Sequence, residues 1–403
     1  MSIFVSLLGL AFLILIHEAG HFFVARGVRM NPRKFYLGFP PAIVKTKRNG
    51  IEYGVGAIPL GGYVKIPGMH RPAAGDLDYH FARAIEEAPP LGRSVGDLRR
   101  HLEENDYAGA VGALERVRAA LPDASLSPLA QRSAERGLSE IQDSLAPDAY
   151  WRAPTWKRVA VIFAGPAANL VLAIVIFAAL FMSLSGSYRL GFELRGTTDS
   201  VTATVNDVLA DSPAAAAGIQ AGDRIVAIDG KQVDGESIRP TIQDSRGAPV
   251  TVTVERNGKT VELQPVRPEK SEEFGVVGAV GESFQVTWEV TQEIGRSVGR
   301  LVTGDGSDVS SPVGIVQGSS EAVDQGTDTY LWVLGLISLS LALLNLLPLL
   351  PLDGGHIAFS LIEGIRGRAV AREVYERVSV VGIAVVLLLF FIGLTNDIGR
   401  LGS

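Results

Sequence analysis

His17, Glu18 and His21 spell His-Glu-Ala-Gly-His inside an otherwise apolar run from Ser2 to Ala25. Residues four apart share a helical face about one turn from each other. Two imidazoles can therefore grip one metal ion while Glu18 reaches a water beside it. Ionisable side chains at the middle of a membrane-length helix cost about 3 kcal/mol each unless something pairs with them, which marks them as functional. The bland alternative, a chance match in a membrane anchor, leaves three polar groups unsatisfied in hydrocarbon. The expected chemistry is hydrolysis assisted by zinc and carried out within a bilayer.

A catalytic zinc takes three protein ligands and keeps a fourth position open. The chain has no cysteine, so nitrogen and oxygen must supply them. Asp353 is the candidate third ligand, at the end of Asn345-Leu-Leu-Pro-Leu-Leu-Pro-Leu-Asp353-Gly-Gly-His356. Pro348 and Pro351 interrupt helical hydrogen bonding and can aim a carboxylate inward, while Gly354 and Gly355 permit close backbone approach. The alternative is a polar turn that merely closes a helix at the membrane surface. His356 is a competing ligand; the carboxylate is preferred because it adjoins the proline break.

These residues need a membrane scaffold, and composition supplies one. Of 403 residues 47% are hydrophobic, and the net charge of −6 argues against a nucleic-acid partner. The absence of thiols says nothing of redox compartment. Four stretches can span a bilayer: Ile3–Ala25, Val159–Leu184, Tyr330–Leu350 and Val378–Leu394. The first lacks a basic leader region and a small-residue cleavage site, so it reads as a retained transmembrane helix. Arg26, Arg29, Arg33 and Lys34 follow the first span; Arg152, Lys157 and Arg158 precede the second; Arg366, Arg368, Arg372 and Arg377 separate the third and fourth. The positive-inside bias then predicts cytoplasmic loops at 26–158 and 351–377, with both termini and the loop 185–329 outside.

The expected fold is a polytopic α-helical membrane protein with about four transmembrane helices and three additions. Residues 1–71 would hold the first span and a membrane-associated β-hairpin within Ile51–Ile66, where Pro59, Gly61 and Gly62 separate β-prone runs. Residues 72–150 turn rich in Ala, Arg, Glu and Asp. Helical periodicity in Val95–Glu104, Tyr107–Leu121 and Leu129–Leu145 predicts two or three short helices with a packing or docking role. After the second span (151–185), residues 186–270 form a β-rich unit. In it Ser212-Pro213 opens a short helix, Gly218 ends it, Arg224–Ile228 is a strand, and Val250–Glu255 and Thr260–Gln264 flank an Asn257-Gly258 turn. That pattern resembles a PDZ domain, which binds peptides by strand addition. Residues 271–329 read as strands, a polar helix and a connector, and 330–403 carry the last two spans.

His17-Glu18-x-x-His21 and the Asn345–Gly355 run resemble the site-2 protease family of intramembrane zinc metalloproteases. Pro59-Leu-Gly-Gly-Tyr-Val-Lys65, Gly165-Pro-Ala-Ala-Asn169 and the PDZ-like unit narrow the likeness to its bacterial regulator-of-sigma-E protease branch. The resemblance covers nearly the whole chain except 72–150. It implies that His17, His21 and Asp353 bind Zn2+, that Glu18 activates water, and that Asn345 holds the substrate backbone. It also implies that Gly61, Gly62 and Tyr63 lie beside the site as a template strand. The implied substrate is a single-span transmembrane protein, an anti-sigma factor or a leftover signal peptide, in the bacterial inner membrane. A peptide ligand for the PDZ-like unit is a further possible partner. Relatives often carry two PDZ domains where this chain shows one.

Asn169, mid-span, is either a helix–helix hydrogen bond or a substrate contact. His70, His80 and His101 read as solvated surface histidines. Two other functions stay open: a membrane zincin whose third ligand is a glutamate such as Glu363 or Glu373, and a non-catalytic membrane-anchored PDZ adaptor.

Overall fold

The computed structural model describes residues 1–197, 200–235, 237–271, 274–302 and 310–401. The chain divides into two compact units, one of residues 14–168 and 344–383, the other of residues 1–13, 169–343 and 384–403.

Helix α1 (Ser2–Gly27) leads into β1 (Lys34–Arg48) and β2 (Ile51–Lys65). Asn49 and Gly50 join the strands with φ of 50° and 81°, the backbone that an Asn-Gly hairpin turn requires. The strands bend so that the start of β1 is flanked on both sides. Lys34 faces Glu52 and Lys65, and Leu37 faces Val55 and Gly62. Two strands thus make a sheet four segments wide, with Gly62–Lys65 as one edge in this pairing. Sequence reasoning confines the sheet to Ile51–Ile66; the structure adds all of β1, whose lysines and Pro-Pro pair hide its strand character.

Residues 72–150 fold as four helices, α2 (Ala74–Glu87), α3 (Leu91–Glu103), α4 (Tyr107–Ala120) and α5 (Pro128–Leu145). The Asp106 carboxylate caps α4 by accepting from Gly109 N at 2.9 Å, and Ser127 caps α5 ahead of Pro128. Leu77, Phe81, Leu98, Val117 and Ile141 lie in their common core. Helix α2 exceeds the two or three expected. Its inner face also corrects one histidine: His80 is 8% exposed, with Nε2 3.0 Å from Glu140 Oε2. Leu77, His80, Phe81 and Ala84 share one helical face, so the ring travels inward with its neighbours.

Helix α6 (Thr155–Leu184) precedes the β-rich part of the second unit. Its elements are β3 (Tyr188–Arg189), β4 (Phe192–Thr197), β5 (Ser200–Val208), α7 (Pro213–Ala217), β6 (Arg224–Ile228), β7 (Lys231–Gln232), α8 (Ile238–Asp244), β8 (Val252–Arg256), β9 (Lys259–Glu262) and β10 (Glu269–Lys270). The main sheet runs β4-β5-β6-β8-β9, with β7 on β6, while β3 pairs with β10. Val205, Ile225, Ile228, Val252 and Val254 form its core. Asp223, 1% exposed, takes both Arg256 Nε and Nη2 at 2.7 Å and Gln220 N at 2.8 Å. Burial, the largest single influence, would raise this carboxyl; the Arg256 bonds and charge together with the Gln220 N–H outweigh it and hold the group below its ordinary value.

Helices α9 (Val276–Val302) and α10 (Pro312–Gln325) follow. The strands expected in 271–329 are thus replaced by helix. Val and Thr are frequent here, but Val286 and Val290 fall on one helical face and pack beside Phe177, Leu180 and Leu339. Tertiary packing overrides the β propensity. Helices α11 (Thr327–Asn345), α12 (Asp353–Arg366) and α13 (Arg372–Leu401) complete the chain. The third span stops at Asn345 rather than Leu350, because Pro348 and Pro351 turn the segment 346–352. Helices α1, α6, α11 and α13 are long and apolar enough to cross a membrane, four among the described residues.

Candidate metal centre

Helical spacing puts His17 and His21 one turn apart on α1, with ring centroids 4.9 Å from each other and planes at 80°. Their Nε2 atoms are 3.2 Å apart. Asp353, at the first position of α12, brings Oδ2 to 3.2 Å from His17 Nε2 and 3.4 Å from His21 Nε2. Both imidazoles are more than nine-tenths buried, and these three residues are the group that can hold a metal ion among the described residues.

The donor set fits zinc. Tetrahedral zinc with bonds of about 2.0–2.1 Å holds its donors about 3.3 Å apart, which matches the triangle found here. Protonation chemistry agrees. His21 Nδ1 lies 2.8 Å from the Val161 carbonyl, which can only accept, so Nδ1 carries the proton and Nε2 keeps its lone pair for a metal. The Val161 carbonyl was not legible in sequence, since a backbone group leaves no compositional trace.

Small residues let the elements approach. A side chain on Gly20 would strike the Ala164 carbonyl, and one on Gly165 would strike the His21 ring. The expected outcome of Gly165→Ala is a displaced His21, seen as zinc affinity weakened at least tenfold in a competition titration, with the helical circular dichroism unchanged. Gly354 and Gly355 pack against the backbone of residues 346–350, which folds over the first turn of α12. Further along α12, Ser360 bonds the Tyr150 hydroxyl at 3.0 Å and Glu363 pairs with Arg158 at 2.5 Å. Those contacts hold the helix that carries Asp353.

Glu18 is half-buried on α1, beside the backbone of Val64 on the sheet edge. A Cβ on Gly62 would lie 2.8 Å from Glu18 Cγ, so glycine leaves the room this carboxylate occupies. Tyr63 stacks on Tyr36 with centroids 5.2 Å apart, and Gly61 adopts φ of 138° against the Phe39 ring. Asn345 closes α11 just ahead of the proline turn. Asn169 is fully buried on α6; its backbone carbonyl accepts from Ser338 Oγ at 2.8 Å, while its side-chain amide has no hydrogen-bond partner among the described residues.

The rival ligands lie outside this group, whose donor atoms are all within 4.8 Å of one another. His356 Nδ1 meets the Tyr375 hydroxyl. Both Glu363 oxygens are used, one by Arg158 and the other by Val370 N at 2.9 Å. Glu373 is exposed in the first turn of α13.

Comparison with known proteins agrees with this chemistry. A relative from Agrobacterium fabrum is 30% identical over 426 residues, covering 98% of this chain and 95% of its own. The zinc metalloprotease RasP of Shouchella clausii is 28% identical, with 97% of each chain aligned. The regulator of sigma-E protease RseP of Salmonella typhimurium is also 28% identical, with 98% of each aligned. The model of peptidase family M50 matches residues 5–389, nearly the full length, and the chain belongs to that family.

Proposed function

We propose that this peptidase is a zinc endopeptidase of the bacterial inner membrane that cleaves transmembrane segments of single-span proteins. Anti-sigma factors and remnant signal peptides are the substrate types, in keeping with relatives named for regulating sigma-E. The reading rests above all on three buried donors 3.2–3.4 Å apart, carried partly by a helix long and apolar enough to lie in lipid.

His17, His21 and Asp353 hold the metal. Zinc bound there supplies a Lewis acid that polarises a carbonyl and acidifies water. Glu18 accepts the proton of the attacking water and delivers it to the amine nitrogen that leaves. A substrate helix satisfies its amides internally, so it must unwind before its carbonyl can be reached. The edge Gly61–Lys65 offers backbone partners to the freed strand, which offsets the bonds lost. Gly62 keeps side-chain bulk away from Glu18, Tyr63 stiffens the edge by stacking, and Asn345 steadies the substrate backbone. Asn169 serves as a buried packing amide or a second substrate contact.

The positive charge of the basic loops supports a topology with residues 26–158 and 351–377 in the cytoplasm, and both termini and the PDZ-like unit 186–270 outside. There the unit screens or senses extracytoplasmic peptides by strand addition. The test is purified protein in bilayers with a single-span substrate. About one zinc per chain is expected, with cleavage inside the transmembrane segment that chelation abolishes and zinc restores. Folded protein that stays metal-free, or cleavage outside that segment, overturns the reading.

A further inference from the structure

The helical insert 72–150 is fastened to the sheet in two independent ways. Its exit is stitched by backbone: Tyr150 N donates to Pro67 O at 2.8 Å and Trp151 N to Gly68 O at 3.1 Å, immediately after β2. Its last helix and the turn that follows it also present carboxylates, Asp143 and Asp148, to the base of the sheet. Asp143 accepts from Arg33 Nε at 3.0 Å and pairs with Lys65 Nζ at 2.7 Å. Asp148 takes the other face of the Arg33 guanidinium at 2.9 and 3.0 Å.

Arg33 and Lys65 stand on neighbouring segments, since Arg33 N donates to Lys65 O at 2.7 Å. Two cations held that close repel each other unless an anion lies between them. Asp143 is that anion, with its side chain only 13% exposed. Lys65 directly follows Val64, the residue beside Glu18, and ends the edge segment.

That edge keeps its register against the start of β1 over only four paired residues, from Lys34–Lys65 to Leu37–Gly62, with Tyr63 stacked on Tyr36. Between Leu37 and Val44 the β1–β2 pairing is irregular, which separates the edge from the regular turn end of the hairpin, and Gly54, Gly56, Gly61 and Gly62 punctuate β2. Gly-rich, irregular strands specify register weakly, and a slip of one residue reverses every side chain. Here a slip would also change which backbone group stands next to Glu18.

We propose that Asp143 is a positioning residue: by pairing with Arg33 and Lys65 together it locks the edge Gly61–Lys65 against Glu18 and so selects the peptide bond that is cut. This rests on the proteolytic reading above. The insert then acts as a strut that sets cleavage position.

The experiment uses the full chain in bilayers, with a single-span protein that the wild-type enzyme cleaves, and product masses are read alongside kcat and KM. Cleavage by the wild type establishes the underlying reading separately. In Asp143→Ala, cuts are expected to spread to bonds one or two residues from the wild-type position. The value of kcat/KM should fall about tenfold to a hundredfold, as misplacement by about 1 Å does, with zinc content unchanged. Asp143→Glu should restore the single cut. Should Asp143→Ala fail to fold, Lys65→Met carries the same readout with the aliphatic stem retained. One cleavage position with kcat/KM within about twofold of wild type in a folded, zinc-loaded variant overturns the proposal.

Discussion

Glu18→Gln is expected to bind zinc at wild-type stoichiometry and to cleave a single-span substrate at least about a thousandfold more slowly, toward the upper end of what a general base contributes. Glutamine has the same length and fits the space left by Gly62, where a Cβ would stand 2.8 Å from Glu18 Cγ. The substitution thus removes proton acceptance without opening a cavity or adding bulk. His17, His21 and Asp353 are untouched, so metal analysis should be indistinguishable from wild type. Turnover above about a tenth of wild type in a zinc-loaded sample would show that another group takes the proton.

Asp353→Ala should act through the metal. It deletes one of three donors and leaves two imidazoles on one helix, a set that no longer matches the three ligands of a catalytic zinc. Affinity is expected to fall by more than about a hundredfold, beyond the loss typical of removing a partner that only orients a ligand. Cleavage should vanish with it and stay absent at zinc concentrations that restore chelated wild type. Glu363→Gln is the contrasting case. Glu363 pairs with Arg158 at 2.5 Å, so its loss should lower stability by about 3 kcal/mol and leave zinc in place. If Glu363→Gln emptied the site while Asp353→Ala kept its zinc, the rival zincin would be the right reading.

What the sequence discloses and what it conceals follow from the range of the interactions. The pairing of His17 with His21 is local, one helical turn, and reads directly from spacing. So do the long apolar stretches and the turn at Asn257-Gly258. Asp353 could be singled out only because prolines and glycines around it announce an irregular backbone. The partners that orient the site are of another kind. The Val161 carbonyl on His21 and the Arg158 pair with Glu363 join residues far apart in the chain. No local pattern encodes them. The strand β1 was hidden by Lys45, Lys47 and Arg48, whose long side chains stay exposed at the sheet surface. The helix α9 was hidden by β-branched residues whose conformation is decided by what they pack against.

The split of the metal-binding group between α1 and the start of α12 has a consequence for biogenesis. Roughly 330 residues separate His21 from Asp353, and translation at about 5–20 residues per second takes tens of seconds to cross that interval. During that time the nascent chain carries two imidazoles and no carboxylate to complete them. On the proposed ligand set, a polypeptide that ends before Asp353 is expected to be inert toward neighbouring membrane proteins. With those ligands, competence arrives only once Asp353 has been synthesised, which makes the order of the chain a safeguard against premature cutting.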